Sequence, residues 1–425
     1  VTRDPLVIAR DPLDGGLTLV RQDPPNGAPS VSLTYIGPGG TAYDPADREG
    51  TSLMVSDLVV VAAGTRDRRE MARHLDRLGA TLNSQPSPES LEVTAWGPAD
   101  QWEALLDVLA DAVLRPRFDA SDIAQTRRQL KERQLRELTQ PGSRADVELL
   151  HTLYPPGHPY YRSGVGTRRS IARIDRAALA RFHREHLVLD GASVIVTGAM
   201  PAERLRAAVA GRFPSGATAK APPLPDRPGP RPARGTTRTL VMPGRSQVEV
   251  RVGTATIGRR DPRYAGQFLA NEVLGGLGLL SRLFQRVREK AGLAYHASSD
   301  LDAMTWGGLW QAQAGTGPER TERTKALVVK EFRDILEKPI PSPEIERIRE
   351  SAIGSIQLDL ETTAGVHDLA VDAAYFELPE TFYREWPSTL RNLTPRTVLD
   401  AVTGVVDPER LTVVSAGPAS IKQAA

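Results

Sequence analysis

The sequence predicts an α+β fold built twice along one chain, and three observations predict it. The first is recurrence. VSLTYIG from Val31 is echoed by VEVRVGT from Val248, and DIAQTRR from Asp122 by EIERIRE from Glu344. Ile174–Gly198 matches Leu393–Gly417 without a gap. The offsets, 217, 222 and 219 residues, are too long for a solenoid and suit a duplicated domain. The second observation is that each half reads strands, helices, a hairpin, more helices and a closing helix–strand unit. That order predicts an antiparallel-rich sheet with helices packed on one face. The third is residues 214–238, rich in proline, glycine and alanine and without apolar periodicity, which read as a linker stiffened by proline. The expected domains are therefore residues 1–213 and 239–425.

Taken in order, residues 6–36 alternate like three strands: LVIAR, GLTLVRQ and VSLTYIG. Asp14-Gly15-Gly16 and Pro24-Pro25-Asn26-Gly27 supply the turns between them. Residues 51–63, TSLMVSDLVVVAA, are apolar nearly all round and predict a buried helix, although Val59-Val60-Val61 is a poor helix former. Residues 67–78 predict an amphipathic helix with Met71, Leu75 and Leu78 on one side. ATLNSQ and SLEVTAW then form a hairpin across Pro86-Ser87-Pro88. Residues 99–114 and about 120–139 read as long helices, the second starting with acceptors that can cap it, Asp119 and Ser121. Residues 192–198 close the first half as a strand.

Composition narrows the function. Hydrophobic residues make up 40% of the 425 and charged residues 25%, the balance of a protein with an ordinary packed core. The net charge of +2, with arginines scattered among acids, argues against a nucleic-acid partner. The absence of cysteine excludes disulfides and thiolate-held metals. No apolar run reaches the roughly 18 residues that a membrane span needs. The chain begins with Val1 rather than Met, which fits an exported protein whose leader has been removed; a shortened chain would read the same.

The stretch with most chemistry in it is Ser281–Tyr295, SRLFQRVREKAGLAY. It predicts an amphipathic helix with Leu283, Phe284, Val287 and Ala291 towards a core and Arg286, Arg288, Glu289 and Lys290 on the other side. Gly292 stands where a helix end wants a left-handed residue. Leu293, Ala294 and Tyr295 then begin a strand. Arg288 and Tyr295, seven residues apart across the turn, can point at one spot. Both donate hydrogen bonds and neither is a good base at neutral pH. Such a pair suits a carbonyl oxygen or an oxyanion.

The whole string resembles the second-half signature of the pitrilysin/insulinase family of zinc peptidases, the H-x-x-E-H inverzincins. In that family the equivalent Arg and Tyr contact the peptide being cut. The resemblance covers nearly the whole chain and implies two such halves closing like the shells of a clam around a chamber. In active members a buried helix of the first half carries H-x-x-E-H shortly before a Gly-Thr; the two histidines hold zinc and the glutamate activates water. Here the Gly-Thr is Gly64-Thr65, and Val55, Leu58 and Val59 occupy the His, Glu and His places. The family's third ligand falls at Glu132 or Arg133.

The seven histidines offer no replacement. His183-Arg184-Glu185-His186 has Val402-Thr403-Gly404-Val405 as its duplicate, which carries no ligands. His151 and His158 flank Tyr154-Pro155-Pro156-Gly157 with no acid cluster beside them and read as surface or capping residues. Tyr160 and Tyr161 read as packing aromatics. Gly275-Gly276-Leu277-Gly278 lacks a P-loop lysine and reads as a flexible loop. It is shorter than the glycine-rich loop of the non-catalytic subunit of the mitochondrial processing peptidase, to which the likeness is more distant. Pro86 and Pro88 limit strand addition beyond Gln85, so the Asn83-Ser84 strand reads as structural pairing.

The resemblance implies a division of labour. This chain, with Arg288 and Tyr295 and no cofactor of its own, is similar to the non-zinc-binding subunit of a bacterial heterodimeric peptidase. A homologous H-x-x-E-H partner would hold the zinc, peptides would be the substrates, and the periplasm would be the location. Two other readings stay open: a structural subunit like the family's core proteins in respiratory complexes, and a module that captures peptides without cutting them.

Overall fold

The structure is a computed structural model that describes residues 7–23, 28–216, 219–223, 229–230 and 235–419. The turn expected at Pro24–Gly27 and parts of the 214–238 stretch lie outside the described residues.

Six strands form the first sheet: β1 (Ala9–Pro12), β2 (Thr18–Gln22), β3 (Ser30–Pro38), β4 (Thr81–Pro86), β5 (Ser90–Pro98) and β6 (Ser193–Thr197). Their spatial order is β1-β2-β6-β3-β5-β4. Five form the second: β7 (Thr237–Val241), β8 (Val248–Thr256), β9 (Ala294–Met304), β10 (Gly307–Thr316) and β11 (Thr412–Gly417), in the order β7-β11-β8-β10-β9. Without β1, the two orders are the same. Each sheet has one parallel pair, β2 with β6 and β7 with β11, and is otherwise antiparallel. The three sequence echoes fall on corresponding elements: β3 on β8, the helix Ala120–Thr139 on the helix Ser342–Asp359, and the helix–strand closing each half. The α+β architecture and its duplication are thus observed directly.

Each sheet lies against a layer of helices. In the first, Leu33 and Tyr35 of β3, Val93 of β5 and Val194 and Val196 of β6 share a core with Met54, Leu58, Leu105, Leu109 and Phe182. In the second, Val250 and Val252 of β8 and Trp310 and Ala312 of β10 pack against Val328, Phe332 and Ile335. The helix begun at Thr51 ends at Val59 rather than running to residue 63. The β-branched run Val59-Val60-Val61 loses side-chain freedom in a helix, and the chain leaves it there.

By backbone proximity the chain makes two compact units: Val1–Gln134 with Arg162–Asp226 and Ile356–Glu385, and Leu135–Tyr161 with Arg227–Ser355 and Trp386–Ala425. They do not follow the sequence halves. The helix Pro141–Leu153 belongs with the second sheet, where Ala145, Leu149 and Leu153 meet Val414 and Ala416 of β11. The helix Thr363–Tyr375 belongs with the first, where Ala370, Ala373 and Ala374 meet Val20, Ile36 and Ile195. Each sheet therefore carries one helix on the face opposite its main layer. This is why β3 is buried on both faces from Val31 to Gly37.

Candidate functional site

The segment Ser281–Tyr295 is built differently from the regular helix its spacing predicts. Phe284–Lys290 is a π-helical turn, in which the Arg286 carbonyl accepts from the Ala291 N–H at 3.1 Å and the Val287 carbonyl from the Leu293 N–H at 3.0 Å. Leu283 and Val287 are buried as expected. Phe284, which opens the turn, is half-buried, and Ala291 beyond it is exposed because the wider turn rotates later residues off the 3.6-residue spacing. Gly292 ends the turn with φ at +60°, the left-handed conformation that glycine adopts without a Cβ clash.

A β-bulge follows. On β10, Gly315 pairs with His296 and Thr316 pairs with Ala294, so Tyr295 is the extra residue with no partner opposite. The effect shows in burial. Ala294 and Ala297 both reach the core although their spacing is odd, and Tyr295 between them is turned outward to 79% exposure. Alternation without the bulge would send Tyr295 to the same face as Ala297 and Ser299, which are buried. β9 is also the last strand of its sheet, so Tyr295 stands at the start of an edge.

The structure brings Arg288 and Tyr295 together. The Arg288 guanidinium carbon lies 5.4 Å from the centre of the Tyr295 ring and 4.7 Å from that of Phe284. Glu289 approaches the same guanidinium at 3.7 Å. A guanidinium lying over ring faces keeps its N–H donors in its own plane, available to an acceptor at the edge. Sequence spacing identified Arg288 and Tyr295; it did not identify Phe284 as a ring beneath the guanidinium. Its i, i+4 relation to Arg288 is the signal that could have found it.

Around this pair the second sheet is polar on the face away from its main core. His296 Nε2 lies 3.4 Å from Glu249, Glu249 pairs with Arg251 at 2.9 Å, and Arg251 with Asp146 at 2.5 Å. Burial alone would raise the Glu249 carboxyl, and its hydrogen bonds with His296 and Arg251 more than reverse this, holding it below the usual range. Gln313 donates to Ser298 and Asp300, both at 3.1 Å. Burial pushes the Glu272 carboxyl up to about 7, with the charge of Asp300 adding to it and an Asn271 hydrogen bond opposing.

The Gly275–Gly278 stretch differs from the flexible loop expected. Its first two glycines belong to a second π-helical turn, Glu272–Gly276. Gly275 is packed so closely that a Cβ would stand 2.2 Å from the Ser299 backbone nitrogen of β9. The Asn271 side chain ties the start of that turn to the sheet, accepting from Trp310 Nε1 at 2.9 Å and Ser299 Oγ at 2.7 Å.

In the first half, the family's zinc place does not fit a metal. Val55, Leu58 and Val59 are buried hydrocarbons on the Thr51–Val59 helix, within the main core. They have no lone pair to offer. Of Glu132 and Arg133, Glu132 is exposed and Arg133 reaches the helix, pairing with Asp57 at 3.2 Å. Burial raises the Asp57 carboxyl and Arg133 opposes this. Ser56 pairs with Ser84 of β4 at 2.7 Å. Among the described residues, no group of three His, Asp or Glu side chains stands ready to hold a metal ion.

Four further histidines have structural partners. His183 Nε2 lies 2.7 Å from the Val113 carbonyl, and His186 packs against Phe182 and Tyr43, where burial lowers it to about 4. His158 is a capping residue and not a surface one: it is buried, stacks on Tyr154, and its Nδ1 accepts from the Tyr160 N–H at 3.0 Å. His151 stacks on Tyr161 at 4.2 Å.

The family profile described as insulinase (peptidase family M16) matches residues 18–153, and that described as the peptidase M16 inactive domain matches residues 173–352. An uncharacterised zinc protease of Mycobacterium tuberculosis is 29% identical over 358 residues, covering 84% of this chain and 81% of its own. One from Bacillus subtilis is 23% identical over 357 residues, covering 84% and 85%. Among solved structures, a peptidase M16 inactive domain from Pseudomonas fluorescens superposes with a TM-score of 0.91 at 24% identity, over 98% of this chain and 100% of that one. A protease from Helicobacter pylori does so with a TM-score of 0.89 at 17% identity, over 97% and 99%. Both likenesses concern the fold.

Proposed function

Because the chain belongs to the peptidase M16 (insulinase) family, we propose that it is the substrate-holding chain of a two-chain zinc peptidase. A homologous partner carrying H-x-x-E-H would supply the metal and the attacking water. One observation carries this reading. Arg288 and Tyr295 stand side by side and accessible, on a chain whose own metal places are filled by Val55, Leu58 and Val59.

In this reading a peptide lies extended along the outer edge of β9 and adds to the sheet through main-chain hydrogen bonds. The Arg288 guanidinium and the Tyr295 hydroxyl donate to the carbonyl next to the bond being cut. Their hydrogen bonds strengthen as negative charge develops on that oxygen. Donors already aimed at the developing charge need no rearrangement during reaction, and losing one costs about 10²–10³ in turnover. Neither group moves a proton; this chain's part is to bind and orient. The proposal places the assembly in the bacterial periplasm, which fractionating cells that express the full gene would check.

The test is cleavage of a quenched fluorescent peptide by this chain, by its H-x-x-E-H partner, and by the two mixed. Activity only in the mixture is expected. In the mixture, Arg288→Ala and Tyr295→Phe should each lower turnover at least about tenfold, with the two chains still co-eluting. Full activity from the partner alone, or unchanged turnover in both variants, would reduce this chain to a scaffold. Activity from this chain alone would refute the assignment of the metal to a partner.

A further inference from the structure

The bulge that turns Tyr295 outward is held by a side chain of the neighbouring strand, β10. Where the ladder breaks, the carbonyl of Leu293 takes its hydrogen bond from a side chain: the Thr316 hydroxyl donates to it at 2.6 Å. Thr316 closes β10 opposite Ala294 and is buried. Its own oxygen accepts from the Thr324 hydroxyl at 3.0 Å, and Thr324 is buried as well. The Thr324 proton is shared with the Arg320 carbonyl, also at 3.0 Å. One residue earlier, the carbonyl of Gly292 accepts from Arg320 at 2.8 Å. The two carbonyls between the left-handed Gly292 and the bulge are therefore both pinned by one segment, Thr316–Thr324.

We propose that Thr316 is the positioning residue of this site: its hydroxyl, oriented by Thr324, fixes the bulge and so the direction in which Tyr295 presents its phenol. The chain enters the edge strand through Leu293, whose carbonyl direction sets the rotation of the following peptide and hence the outward turn of Tyr295. Apolar packing cannot do this alone. Leu293 and Ala294 are both core residues, and apolar burial is non-directional. A hydrogen bond to one oxygen distinguishes the two rotations because it is directional. Thr316 touches no substrate and acts only through Tyr295.

The inference rests on the reading that Tyr295 serves turnover in the assembled enzyme, and its test separates the two. Turnover of the two-chain enzyme on the quenched peptide is measured for Thr316→Val, which keeps the shape and removes the hydroxyl, and for Thr316→Ser, which restores it. Both are repeated in a Tyr295→Phe background. Thr316→Val is expected to lower kcat roughly tenfold, the scale of a sub-ångström misplacement, with KM held within about twofold. Thr316→Ser should recover most of that loss. With the Tyr295 hydroxyl already gone, Thr316→Val should cost nothing more. An equal loss in both backgrounds, or a change in KM alone, overturns the positioning role while leaving the pair intact. A Tyr295→Phe enzyme as fast as the wild type overturns the reading of the pair, and the inference with it. Should Thr316→Val fail to fold by circular dichroism, Thr324→Val carries the same comparison, and there too an equal loss in both backgrounds refutes the proposal.

Discussion

His367 offers a prediction whose size can be worked from its surroundings. It sits on the helix Thr363–Tyr375 and is fully buried against the first sheet, with one ring nitrogen 2.7 Å from Thr34 Oγ1 and the other 2.9 Å from Thr197 Oγ1. Two hydroxyls satisfy a neutral ring, one as donor and one as acceptor; no anion is provided for a charged one. Burial accordingly lowers its pKa from 6.5 to about 3. A histidine depressed in the folded state binds protons more readily when unfolded. Its neutral burial is free of cost above the unfolded pKa, and stability is lost as pH falls below it, progressively towards the folded pKa. Between pH 7.5 and pH 5 the loss works out at about 2 kcal/mol. Other buried groups titrate over the same range, among them His186, held down to about 4, and Asp44, raised to about 7 by burial against its backbone donors. The measurement must therefore be a difference. Urea unfolding of the wild type and of His367→Asn is followed at both pH values. The variant pays a fixed cost for its lost contacts, and only the change in the gap counts. The gap should shrink by about 2 kcal/mol on going to pH 5. A gap constant to within about 0.5 kcal/mol would refute the claim that this ring is held neutral in the fold.

Two further outcomes concern the frame of the site. Arg282, buried at the start of the π-helical segment, forms a two-pronged ion pair with Glu344 at 2.8 and 2.7 Å. Glu344→Ala should lower the unfolding free energy by about 3 kcal/mol, because it strands a buried guanidinium; a change below about 1 kcal/mol in the same urea titration would show the pair to be idle. Gly275→Ala places a methyl group 2.2 Å from the Ser299 backbone. It should cost about 1–3 kcal/mol, and a melting temperature equal to that of the wild type would mean that the turn shifts without penalty.

What could be read in the sequence follows from what kind of information each feature needs. Strands such as Val31–Gly37 declare themselves through composition and flanking turns, and the duplication through order. The chemistry of Val55, Leu58 and Val59, at the places that the resemblance gives to the metal ligands, is a property of the residues themselves: they cannot donate a lone pair in any fold. The exchange of Pro141–Leu153 and Thr363–Tyr375 between the two sheets was not legible. An amphipathic pattern says that a helix has a face to bury, and nothing about which sheet will bury it. The π-helical turns were hidden for a related reason, since Leu283 and Val287 satisfy regular and widened spacing alike. The bulge depends on a hydroxyl at the far end of another strand, and a threonine there looks like any strand residue.

The chain also contains its own comparison for the candidate site. In the first half, the helix Arg68–Leu78 ends at Gly79 in the left-handed conformation and leads into the edge strand β4. In the second, the π-helical turn Phe284–Lys290 leads through left-handed Gly292 into the edge strand β9. The connection is the same and its execution is not. The first-half version is a regular, well-capped helix, and β4 pairs with β5 without a shift of register. The second-half version has a widened turn, a bulge and a large aromatic side chain turned out to solvent. Since the fold closes with the regular version, nothing about closing a sheet requires the irregular one. Each irregularity interrupts the regular hydrogen-bond pattern locally. Their joint effect is to set the Arg288 guanidinium over two rings and to face Tyr295 outward from an edge strand. In the first half Val55, Leu58 and Val59 lie in the main core, each buried side chain contributing about 1.5–3 kcal/mol. The first half makes this connection with a regular helix, and the second holds a constrained pair of donors, Arg288 half-buried and Tyr295 exposed. This asymmetry supports the proposed substrate-holding role, in which the second half presents donors to a peptide.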